Sequence, residues 1–298
     1  MNVVTGAIRT RVLTSGPLAF TVREAGEGPL VLMIHGFPDE PATFDAQLLA
    51  LASAGFHVVA PTLRGYEPSS RPSDGSYHLV ALAGDVTGWM DALGAERAHL
   101  VGHDWGATVA YGAAVGAPDR VLSLAMIAIP PPKGLFEGIR HSPRQLWRSR
   151  YMAFLQLKGL SEWWLRRNQA AGLLRLWRRW SPGWSPSPKR LDSLRRRFSD
   201  PTVVHAAFSY YRQILDTKTP AGRASAGLIA GAVKMPVLGL CGRDDGCFSA
   251  DLFVAAMSPV AFPSGVVCKT IADAGHFVHA ERPEVVSEHL RSWLAQNS

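Results

Sequence analysis

The sequence predicts an α/β fold in which a mostly parallel sheet is covered by helices and interrupted by an inserted helical module. Short, β-branched apolar segments alternate with longer segments whose apolar residues recur at helical spacing. Composition changes sharply inside residues 133–223, which hold 19 Lys and Arg against 5 Asp and Glu, and six of the nine tryptophans. A length of 298 residues is sufficient for one large core that carries such an insertion.

The predicted elements follow from these patterns in chain order. The strand candidates are LAFTVREAG, PLVLMIHG, FHVVAP, RAHLVGHD, VLSLAMIAI, MPVLGLCG and VVCKTIAD. The helix candidates are ATFDAQLLALASAG, LVALAGDVTGWMDALGA, ATVAYGAAVGA and PEVVSEHLRSWLAQ. We therefore expect a core formed by 1–130 and 231–298 and a helical lid at 131–230. Within that lid, the Pro/Ser-rich segment 181–190 is expected to join two helices.

Composition excludes several classes of protein. With 47% hydrophobic and 18% charged residues, the chain is too apolar for intrinsic disorder, and its scattered charges leave no stretch that could span a bilayer. Its three cysteines cannot all pair, and none has zinc-ligand spacing. The first residues show neither a signal peptide nor a transit peptide. We expect a cytoplasmic protein with reduced thiols and no metal.

The sharpest local motif is the segment 102–106, GHDWG, between the predicted strand RAHLV and the helix ATVAYGAAVGA. Small residues at its first and last positions suit a sharp strand-to-helix turn, because a β-carbon there would collide with neighbouring backbone. Such a turn leaves its central residue, Asp104, projecting over the end of the sheet. A serine that attacked a saturated carbon would leave an inert ether, whereas a carboxylate leaves an ester that water can cleave. The motif predicts alkyl transfer rather than acyl transfer.

On this motif the chain resembles the α/β-hydrolase superfamily, and within it the aspartate-nucleophile branch of epoxide hydrolases and haloalkane dehalogenases. The resemblance covers nearly the whole chain and implies the α/β-hydrolase fold with an inserted helical lid. Segment 35–38, HGFP, resembles the oxyanion loop of the epoxide hydrolases. That likeness implies an oxyanion hole made by the backbone N–H groups of Phe37 and Trp105.

Two later segments match the remaining members of the family's catalytic triad. Asp245 stands three residues after Gly242, where the family carries its acid, and Asp244 is the alternative. His276, in the segment AGHF, matches the catalytic histidine. The resulting chain order of nucleophile, acid and histidine is that of the fold. His276 is expected to take a proton from the hydrolytic water while Asp245 orients the imidazole.

The inserted segment distinguishes the two branches. Opening an epoxide produces an alkoxide that needs a proton donor, whereas a departing halide needs only N–H donors. The resemblance assigns the proton donors to two lid tyrosines, Tyr151 and Tyr211, with Tyr210 as the rival of Tyr211. The residues expected to bind substrate or to surround it are His35, Phe37, Trp105 and Tyr210.

The resulting hypothesis is hydrolysis of an apolar epoxide to a vicinal diol, without a cofactor. A haloalkane dehalogenase is the alternative, although dehalogenases often take a halide donor from an asparagine in the loop where this chain has Phe37. An alternative of another class is a non-catalytic protein that binds an apolar ligand or docks on a membrane. The intact set of core residues argues against that last alternative.

The basic, Trp-rich segment WWLRRNQAAGLLRLWRRW permits two interpretations. It forms either a lid helix with tryptophans towards the pocket and arginines in solvent, or a surface that contacts anionic membrane. No nucleic-acid motif accompanies the charge, so nucleic acid is not an expected partner. A homodimer and the identity of the epoxide are left open by the sequence.

Overall fold

The computed structural model describes residues 7–259 and 262–298, apart from the side chains of residues 169 and 170. Eight strands form one sheet in the order β1-β2-β4-β3-β5-β6-β7-β8. Strands β3 to β8 are parallel to one another, whereas β2 runs antiparallel to both β1 and β4. The strands are β1 (Arg9–Ser15), β2 (Leu18–Ala25), β3 (Leu30–Ile34), β4 (His57–Pro61), β5 (Ala98–His103), β6 (Val121–Ile127), β7 (Val237–Gly242) and β8 (Val266–Ile271).

The predicted strands all form, and the sheet gains β1, which the sequence did not predict. Of its seven residues only Leu13 is buried, because β1 is the edge strand and packs through one side chain. The other six side chains of β1 are partly or fully exposed, and five of them are polar. The pairing with β2 supplies the backbone hydrogen bonds that hold it.

Helices cover both faces of the sheet. On one face, α1 (Asp45–Ser53) and α12 (Pro283–Gln296) bury a cluster that includes Leu48, Leu290 and Trp293. On the other, α2 (Leu79–Ala92) and α3 (Trp105–Gly116) bury the larger cluster, which extends into the inserted helices. Two short helices follow the last two strands: α10 (Ala250–Ala256) comes after β7, and α11 (Val278–Glu281) comes after β8. The two-sided coverage explains why the central strands are apolar without alternation.

Six helices lie between β6 and β7, and we call α4–α8 the insertion. They are α4 (Pro132–His141), α5 (Pro143–Phe154), α6 (Leu160–Trp180), α7 (Pro188–Ser199), α8 (Pro201–Gln213) and α9 (Pro220–Ala230). The last of them, α9, packs against α2 and α3 of the core. The Pro/Ser-rich segment does connect two helices, α6 and α7. No helix in the described part of the chain is long and apolar enough to cross a membrane.

Four of these helices start with the same local device. Ser142, Ser187, Asp200 and Thr219 each accept a hydrogen bond from a backbone N–H of the first turn, and each is followed by proline. The side-chain oxygen satisfies an otherwise free N–H, and proline has none to satisfy. Short-range sequence thus sets the helix boundaries inside the insertion.

Candidate active site

A strained turn presents Asp104 between β5 and α3. The residue has φ 54° and ψ −120°, a backbone conformation unusual for a residue with a side chain. A β-carbon at Gly102 would collide with the backbone of Gly106, and one at Gly106 with the carbonyl of Ile34. Only glycine at these two positions allows so tight a turn. The turn places the Asp104 carboxylate at the carboxyl ends of the parallel strands.

The structure brings Asp104, Asp245 and His276 together. Nδ1 of His276 lies 2.9 Å from Oδ2 of Asp245, and Nε2 lies 3.5 Å from Oδ2 of Asp104. All three residues are buried. Asp244, the alternative acid, is exposed. The geometry therefore places the imidazole between Asp104 and Asp245, although their chemical roles stay predictions.

The charge on His276 is set by its two carboxylate neighbours. Burial alone would lower its pKa, but the charge of Asp245 and the contact with Asp104 outweigh burial and raise it to about 10. The imidazole is therefore protonated at neutral pH while Asp104 carries its charge. Any reaction that neutralised Asp104 would remove part of this stabilisation and lower the pKa of His276.

The loop after β3 supplies a donor to Asp104. The backbone N–H of Phe37 donates to Oδ1 of Asp104 at 2.7 Å. In the described residues we find no corresponding hydrogen bond from the Trp105 N–H to Asp104. His35 does not line the pocket, since its Nε2 accepts from the Leu63 N–H at 3.1 Å and holds the neighbouring loop. The role expected for His35 in substrate binding is not supported by its position.

Two of the three candidate tyrosines face the pocket. Tyr151 and Tyr211 line it, with ring centroids 5.9 Å apart. The Tyr211 hydroxyl is buried and has no hydrogen-bond partner among the described residues, and that of Tyr151 lies 3.7 Å from Sγ of Cys247. Tyr210 instead donates to the Arg64 carbonyl at 2.7 Å, outside the pocket lining. Tyr210 is thus a packing residue, contrary to its expected place in the substrate site.

Both pocket tyrosines retain their protons at neutral pH. Burial raises the pKa of each hydroxyl well above its usual value near 10, and the charge of Asp104 raises that of Tyr211 further. Each can therefore donate a hydrogen bond or a proton into the pocket. Apart from Asp104 and these hydroxyls the lining is mostly apolar, consisting of Trp105, Thr108, Ile129, Pro132, Leu135, Phe136, Ser149, Met152, Ile214, Cys247 and Phe248.

Helix α5 of the insertion is hydrogen-bonded to the loop that follows β7 and carries Asp245. Gln145 of α5 donates to the Cys247 carbonyl at 2.8 Å and accepts from the Ser249 N–H at 3.1 Å. Arg148, one turn later, donates to the Asp245 carbonyl at 3.0 Å. These contacts fix the helix that carries Tyr151 against the segment that carries Asp245. Sequence reasoning did not identify Gln145 or Arg148, because neither belongs to a motif.

The end of α6 holds the histidine loop as well. The Trp180 carbonyl, one of the last in the helix, accepts from the N–H groups of both Gly246 and His276, at 3.0 and 3.1 Å. The terminal carbonyls of a helix have no partner within it, so they are available for such bonds. In addition, Nε2 of His103, the last residue of β5, lies 3.0 Å from the carbonyl oxygen of His276. The backbone of His276 is thus held on both sides.

A buried polar cluster lies beneath the triad. Asp39, His103 and His279 offer ligand atoms within 4.8 Å of one another, a spacing that a metal ion could use. However, Arg190 of α7 already places its guanidinium 2.8 and 3.0 Å from the Asp39 carboxylate, and it also contacts Thr43. Burial lowers the pKa of His103 and of His279, so both rings are neutral. The arrangement favours an ion pair between insertion and core over a metal centre.

Replacing Arg190 by alanine should lower the free energy of unfolding by about 3 kcal/mol, because Asp39 would remain fully buried without its partner. Burial already raises the pKa of Asp39, and only Arg190 and nearby hydrogen-bond donors oppose that effect. Urea unfolding followed by circular dichroism measures the difference. The matched control is Arg195→Ala on the same helix, whose partner Asp192 is exposed, and it should cost less than about 1 kcal/mol. Equal losses in the two variants would contradict the assignment.

Comparisons with known proteins agree with this architecture. A family model described as alpha/beta hydrolase fold matches residues 29–283. The chain is 30% identical to an epoxide hydrolase of Caballeronia sordidicola, over 98% of this chain and 95% of that protein. It is also 30% identical to epoxide hydrolase A of Mycobacterium tuberculosis, over 97% and 98% respectively. Among solved structures, epoxide hydrolase A of Mycobacterium thermoresistibile superimposes with a TM-score of 0.78 at 25% identity, over 97% of this chain and 98% of that one.

Proposed function

Because this chain belongs to the epoxide hydrolase family of the α/β-hydrolases, we propose that it converts an apolar epoxide into a vicinal diol through a covalent ester on Asp104. The observation that carries the proposal is the shared pocket of Asp104, Tyr151 and Tyr211. A carboxylate and two protonated hydroxyls, facing one apolar space, are what the opening of an epoxide ring requires. The expected absence of a cofactor stays a prediction.

In the first step, Oδ2 of Asp104 attacks a ring carbon of the epoxide and the bond from that carbon to the ring oxygen breaks. Oδ1 is the oxygen that accepts from the Phe37 N–H, so it becomes the carbonyl oxygen of the ester. The departing ring oxygen receives a hydrogen bond and a proton from Tyr151 and Tyr211. The products of the step are a neutral hydroxyalkyl ester and one tyrosinate.

In the second step, water attacks the ester carbonyl carbon. Ester formation removes the negative charge of Asp104, which lowers the pKa of His276 and lets it release its proton, and this proton restores the tyrosine that was deprotonated in the first step. The neutral imidazole then accepts a proton from the attacking water, and Asp245 stabilises the imidazolium. The Phe37 N–H, with that of Trp105 as the proposed second donor, stabilises the oxyanion. Collapse of the intermediate breaks the bond to the diol oxygen, which takes a proton from the imidazolium. The carboxylic acid left on Asp104 then returns a proton to His276, which restores the carboxylate and the imidazolium.

The pocket favours an epoxide over a haloalkane. A halide ion needs N–H donors, yet the polar groups that face the pocket beside Asp104 are mainly hydroxyls, and Phe37 contributes its backbone rather than an amide side chain. The indole of Trp105 is the remaining N–H donor in the lining. One such donor is a weaker halide site than the pair that dehalogenases use.

The test is a parallel assay of diol release from an aryl epoxide and of halide release from a chloroalkane and a bromoalkane. We expect diol formation and no halide release. Halide release without diol would instead assign the chain to the dehalogenases, and inactivity with both substrates would favour a ligand-binding protein. Asp104→Asn serves as the negative control in each arm, since an amide cannot act as the nucleophile.

Four further predictions accompany this function. Residues 131–230 act as a lid over the carboxyl ends of the strands, between 1–130 and 231–298. A homodimer and a cytoplasmic location remain predictions from the sequence alone. Contact of the basic, Trp-rich segment with anionic membrane is the fourth prediction.

A further inference from the structure

The outer face of α5 and α6 exposes large apolar side chains. Leu146 and Trp147 lie on α5, Leu157 in the turn between the helices, and Leu160 and Trp163 at the start of α6. Each of these five side chains is more than half exposed. Leaving them in water is unfavourable, and their concentration on one pair of adjacent helices is unlike scattered surface residues. We call these five residues the outer face.

Positive charge is concentrated in the segment that carries the outer face, and most of it has no carboxylate partner. Residues 132–180 contain eleven Lys and Arg and only two Glu. Of those two, Glu162 is paired with Arg212 of α8 at 2.6 Å. None of the nine arginines in this stretch lies within 4 Å of a carboxylate in the described part of the chain.

Two arginines lie directly against the exposed tryptophans. The guanidinium of Arg150 is 3.8 Å from the ring centroid of Trp147, and that of Arg167 is 4.6 Å from the ring centroid of Trp163. A paired indole and guanidinium offers apolar area and positive charge at one place. This combination suits the boundary between lipid headgroups and acyl chains.

From these observations we propose that the outer face docks on an anionic lipid bilayer. Phosphate groups of the lipids would supply the negative charge that the unpaired arginines lack, and the boundary region would bury the five apolar side chains. A second copy of the chain fits less well, because a symmetric contact would bring two positive faces together. A nucleic acid would match the charge but would leave Leu157 and Leu160 without apolar surroundings.

Helix α5 contributes to both the docking surface and the pocket lining. Helix α4 contributes Leu135 and Phe136 to the pocket lining, and α5 contributes Met152, all of them only partly buried. If the proposed function holds, an apolar epoxide dissolved in the bilayer would reach the pocket beside this surface. The docking proposal itself does not depend on catalysis, because binding to lipid can be measured without substrate.

The experiment is co-sedimentation of the full chain with vesicles of phosphatidylcholine alone or with about a third phosphatidylglycerol. We expect at least about tenfold more bound protein with the anionic vesicles, and loss of binding as the salt concentration rises to about 0.5 M. Two double variants should each abolish most of the binding: Trp147→Ala with Trp163→Ala, and Arg150→Glu with Arg167→Glu.

Matched controls lie on the core. Leu49→Ala removes a similarly exposed leucine from α1, and Arg97→Glu makes one charge reversal of the same kind before β5, so both should bind like the unchanged protein. Hydrolysis of a water-soluble epoxide, measured in parallel, should be unaffected by the outer-face variants. Equal binding to both kinds of vesicle, no binding to either, or equal loss in the controls would overturn the proposal. If the unchanged protein binds anionic vesicles selectively but hydrolyses no epoxide, that result contradicts only the proposed function.

Discussion

Replacing His276 by alanine should give a protein that reacts once with an epoxide and then retains it as an ester. The attack by Asp104 does not need the imidazole, whereas hydrolysis of the ester does. We expect diol release to slow by at least about 100-fold while a protein adduct with the added mass of one substrate accumulates. Mass spectrometry of the intact protein and of the peptide that contains Asp104 measures both effects.

Two further variants separate chemistry from folding in this experiment. The imidazole hydrogen-bonds to Oδ2 of the buried Asp245 at 2.9 Å, and alanine would leave that oxygen without its donor, while Oδ1 would keep the N–H groups of Cys247 and Phe248. His276→Asn keeps an N–H donor near the Nδ1 position and should accumulate the same adduct. Asp104→Asn should form none. An adduct that appears on Asp104→Asn, or its absence from both His276 variants while diol is still released, would refute the covalent mechanism.

Removing the hydroxyl of Tyr151 or Tyr211 should slow the first step and leave the second unchanged. Each Tyr→Phe change removes a buried donor that faces the space beside Asp104, and proton donation of this kind contributes about 100-fold or more to the rate. The double variant should lose nearly all ring opening. Single-turnover experiments that follow ester and diol separately distinguish the two steps.

Tyr210→Phe is the matched control for this prediction. It removes a hydroxyl of the same kind, one residue away on the same helix, whose hydrogen bond goes to the Arg64 carbonyl instead of the pocket. We expect normal ring opening, with a small loss of stability of about 1 kcal/mol from the lost hydrogen bond. A slow Tyr210→Phe beside a fast Tyr211→Phe would mean that the two tyrosines have exchanged roles.

The adjacent tyrosines also illustrate what the sequence could and could not predict. Asp104, Asp245 and His276 each lie in a short motif that follows a strand, and the carboxyl ends of parallel strands meet at one edge of the sheet. The sequence could therefore predict that these three residues lie close together, and their catalytic roles stay predictions. Tyr210 and Tyr211 lie about 100° apart around α8, and both are buried. Only the docking of α8 on the core decides which hydroxyl faces the pocket.

Contacts between distant segments were the main features that the sequence did not predict. Gln145 and Arg190 carry no motif, and their partners lie 102 and 151 residues away. Their roles depend on how the insertion packs. Strand β1 was missed for a different reason, since an edge strand with one buried residue lacks the apolar alternation by which strands are recognised.

The Trp180 carbonyl, at the end of α6, accepts hydrogen bonds from both loops that carry the acid and the histidine, so the geometry of the active site depends on the folded insertion. A motion that lifted the end of α6 would leave the Gly246 and His276 N–H groups without their acceptor and loosen the acid and the base together. Substrate must therefore reach Asp104 through fluctuations that leave this end of α6 in place. Local melting of the insertion would inactivate the protein before its sheet unfolds.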